Sequence, residues 1–202
     1  MNRKTTIVAA FGVAAASLTL VAGCSMMKSG DGWTTLIDGA NGLQNFNQVG
    51  TANWRAEDGA IVADRRSDKA SAFLMTKDSY RDFQVHVEFY ASDDANSGIY
   101  MRCEDLNKIA DTTCYEANVF DQRPDPTYGT GSIVHHSPIK NMPRAGGKWN
   151  TYDITVKGDH LVVTLNGQVT ADIHDSRHKA GPLGLQYAGG AIKFRKVQIK
   201  PL

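Results

Sequence analysis

Cysteine is scarce in this chain and net charge is nearly absent. Only three cysteines occur in 202 residues, with no Cys-x-x-Cys spacing, so the common zinc ribbons and the thioredoxin-type redox motif are excluded. Twenty-two lysines and arginines face 21 acidic residues, a formal charge of +1, which offers no basic surface for nucleic acid. No glycine-rich phosphate loop opens a helix, no Gly-x-Ser-x-Gly elbow occurs, and no His-Glu-x-x-His is present. P-loop, α/β-hydrolase and zincin chemistries therefore have no motif to rest on. Asp93-Asp94-Ala95-Asn96 lacks the ligand spacing and terminal glutamate of an EF-hand and reads as a turn between strands. Long helical periodicity is missing as well.

The chain begins with Arg3 and Lys4, an apolar run from Ile7 to Val21, and small residues ending at Cys24. This is the form of an export signal, to be set aside from the fold. Val21-Ala22-Gly23-Cys24 resembles the lipobox of bacterial lipoproteins, which implies that residues 1–23 are a signal peptide and that Cys24 becomes the acylated first residue. The alternative is an ordinary secretory signal or an uncleaved anchor with an incidental cysteine. One acyl chain holds a membrane only marginally, so the multiple acylation of lipoproteins would keep the domain at a membrane surface. Ser25, rather than an acidic residue, follows Cys24 and favours the outer membrane in the enteric sorting scheme. The expected setting is the cell envelope, extracytoplasmic, with residues 24–32 as lipidated cysteine and tether and 33–202 as a single domain with a full-sized core.

With Cys24 carrying lipid, Cys103 and Cys114 remain in an oxidising compartment. They sit at the facing ends of two expected strands, and a cross-strand disulfide would close residues 104–113, worth roughly 2–3 kcal/mol in the chain-entropy account. Two free thiols are the alternative.

What the chain does have is short strand-like runs punctuated by Gly, Asn and Asp, the profile of an all-β sandwich. Residues 54–57 and 60–63 flank Asp58-Gly59, and residues 161–165 and 169–173 flank Asn166-Gly167, both hairpin signals. Phe83, Val85, Val87 and Phe89 alternate with Gln84, His86, Glu88 and Tyr90, as in a strand with one buried face. Residues 96–103 and 114–121 follow. In the first, Tyr100 and Arg102 oppose Ile99 and Met101; in the second, Glu116 and Asn118 oppose Tyr115, Ala117 and Val119. An arginine, a carboxylate and an amide thus share one expected sheet face, suited to a polyhydroxylated ligand if that face is concave. Residues 122–147 carry Pro124, Pro126, Pro138 and Pro143 without apolar periodicity, and so long an irregular segment in a compact domain is usually functional.

These segments also carry a family resemblance. Trp33 to Gly39, Trp54 to Gly59, Phe83 to Phe89, Asn96-Ser97-Gly98-Ile99-Tyr100-Met101-Arg102, Tyr115-Glu116-Ala117-Asn118, Trp149 to Tyr152, Leu165-Asn166-Gly167 and Phe194 to Ile199 occur in this order. Together they are similar to the 3-keto-glucoside 1,2-lyase / 3-keto-2-hydroxy-glucal hydratase family, also called the 3-keto-disaccharide hydrolase domain. The resemblance implies a concanavalin-like jelly roll of two antiparallel sheets acting on sugars oxidised at C3. A C3 ketone acidifies the hydrogen on C2, so a base can remove it, the C1 substituent leaves by elimination, and water adds back. Such a site needs a base near C2, a donor for the enolate oxygen and an acid for the leaving group.

Glu116 fits the base or a substrate ligand, and Arg102 the enolate or hydroxyl donor; a structural salt bridge between them is the competing reading. Glu88 is expected beside them, in the site or as a partner of Arg102. His135 and His136 lie in the irregular segment, where a histidine can act as acid or base or help bind a metal. Adjacent residues on a strand point oppositely, so only one of the two is expected to face the site. Asn118 stands where the family pattern has glutamine, and Gln186 is a further hydroxyl ligand or a turn-stabilising amide. Tyr100 and Tyr90 are expected on the polar face for stacking on a sugar; Trp33, Trp54 and Trp149 are expected in packing, and His86, His160, His174 and His178 at the surface. No cofactor is specified, with a divalent metal left open. The expected partners are an oxidised glycoside and, through the anchor, a membrane. Non-catalytic carbohydrate-binding module and envelope scaffold are the alternative functions.

Overall fold

The structure, a computed structural model, describes residues 30–202; the expected signal peptide and Cys24 lie outside the described residues. The strands are β1 (Thr34–Asp38), β2 (Phe46–Val49), β3 (Arg55–Glu57), β4 (Ala60–Ala63), β5 (Ala72–Tyr80), β6 (Phe83–Ala91) and β7 (Ser97–Met101). Then come β8 (Tyr115–Val119), β9 (Lys148–Lys157), β10 (His160–Leu165), β11 (Gln168–His174), β12 (Gly181–Tyr187) and β13 (Ile192–Pro201). They form two antiparallel sheets, one of eight strands in the order β11-β10-β9-β6-β13-β4-β3 with β1 also on β13, and one of five in the order β2-β5-β12-β7-β8. This is the expected all-β jelly-roll sandwich.

Turn chemistry fixes the hairpins. Asp58 and Gly59 adopt φ of 49° and 72°, and Asn166 and Gly167 adopt 51° and 81°, the paired positive φ angles of tight two-residue hairpins. Phe83, Val85, Val87 and Phe89 of β6 are buried and alternate with half-buried neighbours. In β13 the apolar spacing changes from Ile192 and Phe194 to Val197 and Ile199. A bulge between Phe194 and Lys196 absorbs the extra residue, keeps all four in the core and turns Arg195 outward.

The smaller sheet differs from the larger one. Every residue of β7, β8 and β12 is buried: one face packs on the large sheet, and Ile109 of residues 104–113 packs against the cluster of Phe73, Met75 and Tyr100 on the other. The segment 122–147 is largely irregular, as expected, with a short 3-10 turn at Pro126–Tyr128.

Two expectations about neighbours require correction. β6 and β7 follow each other in sequence but lie in different sheets, so Glu88 and Tyr90 do not share a face with Tyr100. And β7 stops at Met101 rather than continuing to Cys103: Arg102 has φ 52°, a left-handed conformation that breaks the alternation.

Candidate functional site

Register brings the polar residues of the small sheet together. Tyr100 pairs with Glu116 and Gly98 with Asn118; Gly184 pairs with Met75 and with Tyr100, and Gln186 with Phe73. Paired residues point to the same side, so Met75, Gly184, Tyr100 and Glu116 form one row, with Phe73, Gln186, Gly98 and Asn118 beside it. The glycines leave space for their neighbours. A Cβ on Gly98 would stand 2.6 Å from Glu116 Oε1, and one on Gly184 would stand 3.1 Å from Tyr100 Cβ.

Glu116 is the chemical centre of this face. It is only 4% exposed and forms no ion pair among the described residues. Burial pushes its carboxyl up to about 8; a hydrogen bond from Tyr100 and the charge of Arg123 oppose the rise, and the charge of Asp111 adds to it. The Tyr100 hydroxyl, itself raised by burial and then by the Glu116 charge, accepts from Gln186 Nε2 at 3.0 Å. The Gln186 amide also reaches Ser71 Oγ at 3.4 Å, while its Oε1 is buried without a hydrogen-bond partner. An acceptor left open beside a base is suited to a ligand hydroxyl.

Two loops border this row. The first, residues 104–113, is closed by the Cys103–Cys114 disulfide, whose Cα atoms are 4.4 Å apart. The second runs along the free edge of β8: Gly131 N donates to Asn118 O at 3.0 Å, Asn118 N to Ser132 O at 3.1 Å and Val134 N to Glu116 O at 3.0 Å. Asn118 is buried and spends its amide on the Tyr128 carbonyl at 2.6 Å, so it ties the second loop to the sheet. The loops meet where His135 Nε2 approaches Asp111 Oδ2 at 3.2 Å, with the His135 side chain about half exposed. Arg123 is half-buried, and no side-chain hydrogen bond or ion pair involves its guanidinium among the described residues.

Arg102 is not part of this cluster. Its left-handed backbone sends the side chain toward the far turns, where it is 2% exposed and donates to Arg81 O (2.6 Å), Gly158 O (2.8 Å), His178 O (3.1 Å) and Asp82 Oδ1 (3.0 Å). Burial lowers its pKa, against the attraction of Asp82. It is a clamp joining three connections, and it pairs with neither Glu116 nor Glu88. Glu88 lies on the outer face of the large sheet, bound to Arg195 Nε at 2.6 Å. His136 turns the other way from His135, against Tyr115 and 3.3 Å from Asp175, and burial lowers its pKa. His178, expected at the surface, is buried against Tyr115. Trp54 packs in the core, whereas Trp149 is exposed with Arg195 lying 4.3 Å from its ring centre.

Asp111, Arg123, Ser71 and Gly98 were not singled out by the sequence. Asp111 carried a signal: a disulfide-closed loop ending at Cys114 must fold back over the start of β8. Among the described residues, no group of three or more His, Cys, Asp or Glu side chains converges to hold a metal ion.

The architecture and this buried carboxylate define the class: a lectin-like β-sandwich carrying a polar site on its smaller sheet. The chain belongs to the 3-keto-alpha-glucoside-1,2-lyase-like domain family, whose match spans residues 32–200. Its fold is similar to that of a candidate glycosyl hydrolase from Parabacteroides distasonis (20% identity, TM-score 0.63, covering 87% of this chain and 91% of that one). It is also similar to a carbohydrate-binding module from Bacillus subtilis (20% identity, TM-score 0.54, covering 84% and 95%). The VIP36 exoplasmic/lumenal domain bound to calcium and Man3GlcNAc shares the fold at 10% identity and TM-score 0.59, covering 83% and 88%. The comparison with curated protein sequences returns no match.

Proposed function

We propose that this protein cleaves 3-keto-glycosides by elimination followed by hydration, with Glu116 as the base. The observation that carries the reading is a carboxyl only 4% exposed, in register with Tyr100 and without an ion pair among the described residues; burial pushes it up to about 8. Such a group is a stronger base than an ordinary carboxylate, and its proton affinity suits removal of a carbon-bound hydrogen near neutral pH. Glu116 takes the C2 proton, and the C–H electrons delocalise onto the C3 oxygen as an enolate. Arg123, whose charge acts on both Glu116 and Tyr100, replaces Arg102 as the cation for that oxygen. The enolate then re-forms the ketone, the C1–O bond breaks and its oxygen takes a proton; water adds at C1 and a proton returns to C2. Gln186 Oε1 accepts a sugar hydroxyl. Cys24, acylated, holds the domain at an envelope membrane.

Incubating the full-length protein with a 3-keto-glucoside and with its unoxidised parent tests this reading. Aglycone release from the keto sugar alone is the expected result. Binding without release from either substrate would overturn the enzyme in favour of a carbohydrate-binding module.

A further inference from the structure

Asp111 and His135 meet without being neighbours in sequence, and the charge of Asp111 acts on Glu116. Loop 104–113 is pinned at both ends by the disulfide, and residues 131–134 are pinned to the edge of β8, with Val134 N on the carbonyl of Glu116 itself. These two constraints leave His135 one position past the base's own strand partner, and it is there that Asp111 Oδ2 stands 3.2 Å from its Nε2. His135 holds φ 63°, an uncommon backbone conformation for a non-glycine residue and one that persists where the surroundings impose it. The Tyr128 ring stands 5.7 Å from the imidazole. Nothing else in the described structure pairs with Asp111.

We infer that Asp111 is a positioning residue that holds Nε2–H of His135, so that His135 Nδ1 delivers the proton to the departing C1 oxygen. The inference rests on the elimination reading above and specifies its acid. With Nε2–H engaged by a carboxylate, the imidazolium has one transferable proton, on Nδ1; after transfer the neutral ring keeps Nε2–H toward Asp111. The balance closes within the site. Glu116 gains the C2 proton, the C1–O bond breaks as the C1–C2 double bond forms, and the leaving oxygen gains the Nδ1 proton.

The test is leaving-group dependence. Full-length Asp111→Asn and His135→Gln are assayed on two 3-keto-glucosides, one with a 4-nitrophenyl aglycone, whose oxygen leaves without protonation, and one with an alkyl or sugar aglycone, whose oxygen does not. For the alkyl or sugar aglycone, kcat is expected to fall by on the order of 10²-fold in His135→Gln and about 10-fold in Asp111→Asn, the scale of lost general acid help. For the nitrophenyl aglycone both variants should stay within about 3-fold, and the double variant should be no worse than His135→Gln alone, as for residues acting as one unit. Equal losses on both aglycones would reduce the pair to a structural tie between loops, and no loss on either would remove it from the reaction; either result overturns the proposal. Glu116→Gln separates the levels: it should lose both substrates, and full activity there, or no turnover by the unaltered protein, overturns the underlying reading and the inference with it.

Discussion

Glu116 Oε1 occupies the space beside Gly98 where any other residue would carry its Cβ, 2.6 Å from that position. The two residues lie on adjacent strands, one row apart, and the carboxylate lies back over the bare backbone of β7. The sheet thereby accommodates a carboxyl group on a buried face.

Gly98→Ala should therefore disable the site while the fold survives. The added methyl displaces the carboxyl and disturbs its contact with Tyr100; overpacking of this kind costs about 1–3 kcal/mol, while a misplacement near 1 Å can cost on the order of 10²-fold in rate. Thermal unfolding alongside aglycone release separates the two effects. Activity within a few-fold of the unaltered protein would show that Glu116 has no positional role.

Residues 83–89 and the Asp58-Gly59 and Asn166-Gly167 turns were legible because their signals are local: side-chain alternation and φ preference. The grouping of Tyr100, Glu116 and Gln186 was partly legible for the same reason, since parity within a strand assigns the face. Parity failed at Arg102, where one left-handed residue ends β7 and redirects a side chain that counting places beside Tyr100. It failed differently at Glu88, whose strand reads correctly but belongs to the other sheet, and sheet membership is a long-range property that alternation does not encode. The divergence of His135 and His136 follows from their adjacency, but which one approaches Asp111 depends on a loop closed by the disulfide.

Glu116→Gln should stabilise the protein at alkaline pH. The carboxyl is near its ordinary value of 4.5 when unfolded and is raised to about 8 by burial in the fold. Its favourable contribution is thus complete below about pH 4.5 and is lost as pH rises through 8, by on the order of a few kcal/mol. The amide has no proton to lose. Denaturant unfolding of both proteins should show their stability difference growing in favour of Glu116→Gln from pH 5 to 8.5. A constant difference over that range would refute a raised carboxyl.

Arg102→Lys should act on stability. The guanidinium serves three carbonyls and Asp82, and a single ammonium cannot reach all four. Unsatisfied buried acceptors make the loss about 3 kcal/mol, or roughly 10 °C in Tm for a domain of this size. Below its new melting point the variant should keep kcat within a few-fold. A specific fall in kcat with unchanged Tm would return Arg102 to the reaction.

Reducing the Cys103–Cys114 disulfide should add two protons in intact-mass analysis and loosen residues 104–113. Removing this short closed loop costs about 2–3 kcal/mol in the chain-entropy account. Because Asp111 rides on the loop, Cys103→Ser/Cys114→Ser should also lose activity on alkyl aglycones more than on nitrophenyl ones. Uniform loss on both would show that the loop shapes the site as a whole instead of placing Asp111.

Arg123→Gln separates charge from packing. The half-buried guanidinium forms no side-chain hydrogen bond among the described residues, so its removal should leave Tm nearly unchanged. Its charge lowers the pKa of both Glu116 and Tyr100; without it, the carboxyl holds its proton to higher pH. The acid limb of kcat/KM, which reports the free enzyme, should begin near pH 8 in the unaltered protein and move upward in the variant. On the nitrophenyl aglycone, whose departure needs no acid, the base is ionised in either protein at pH well above both inflections, so any remaining deficit in kcat measures the cation's action on the enolate oxygen, expected at about 10²-fold for one lost stabilising group. An upward shift with no residual deficit would confine Arg123 to tuning the base, and an unshifted limb would place its charge beyond reach of Glu116.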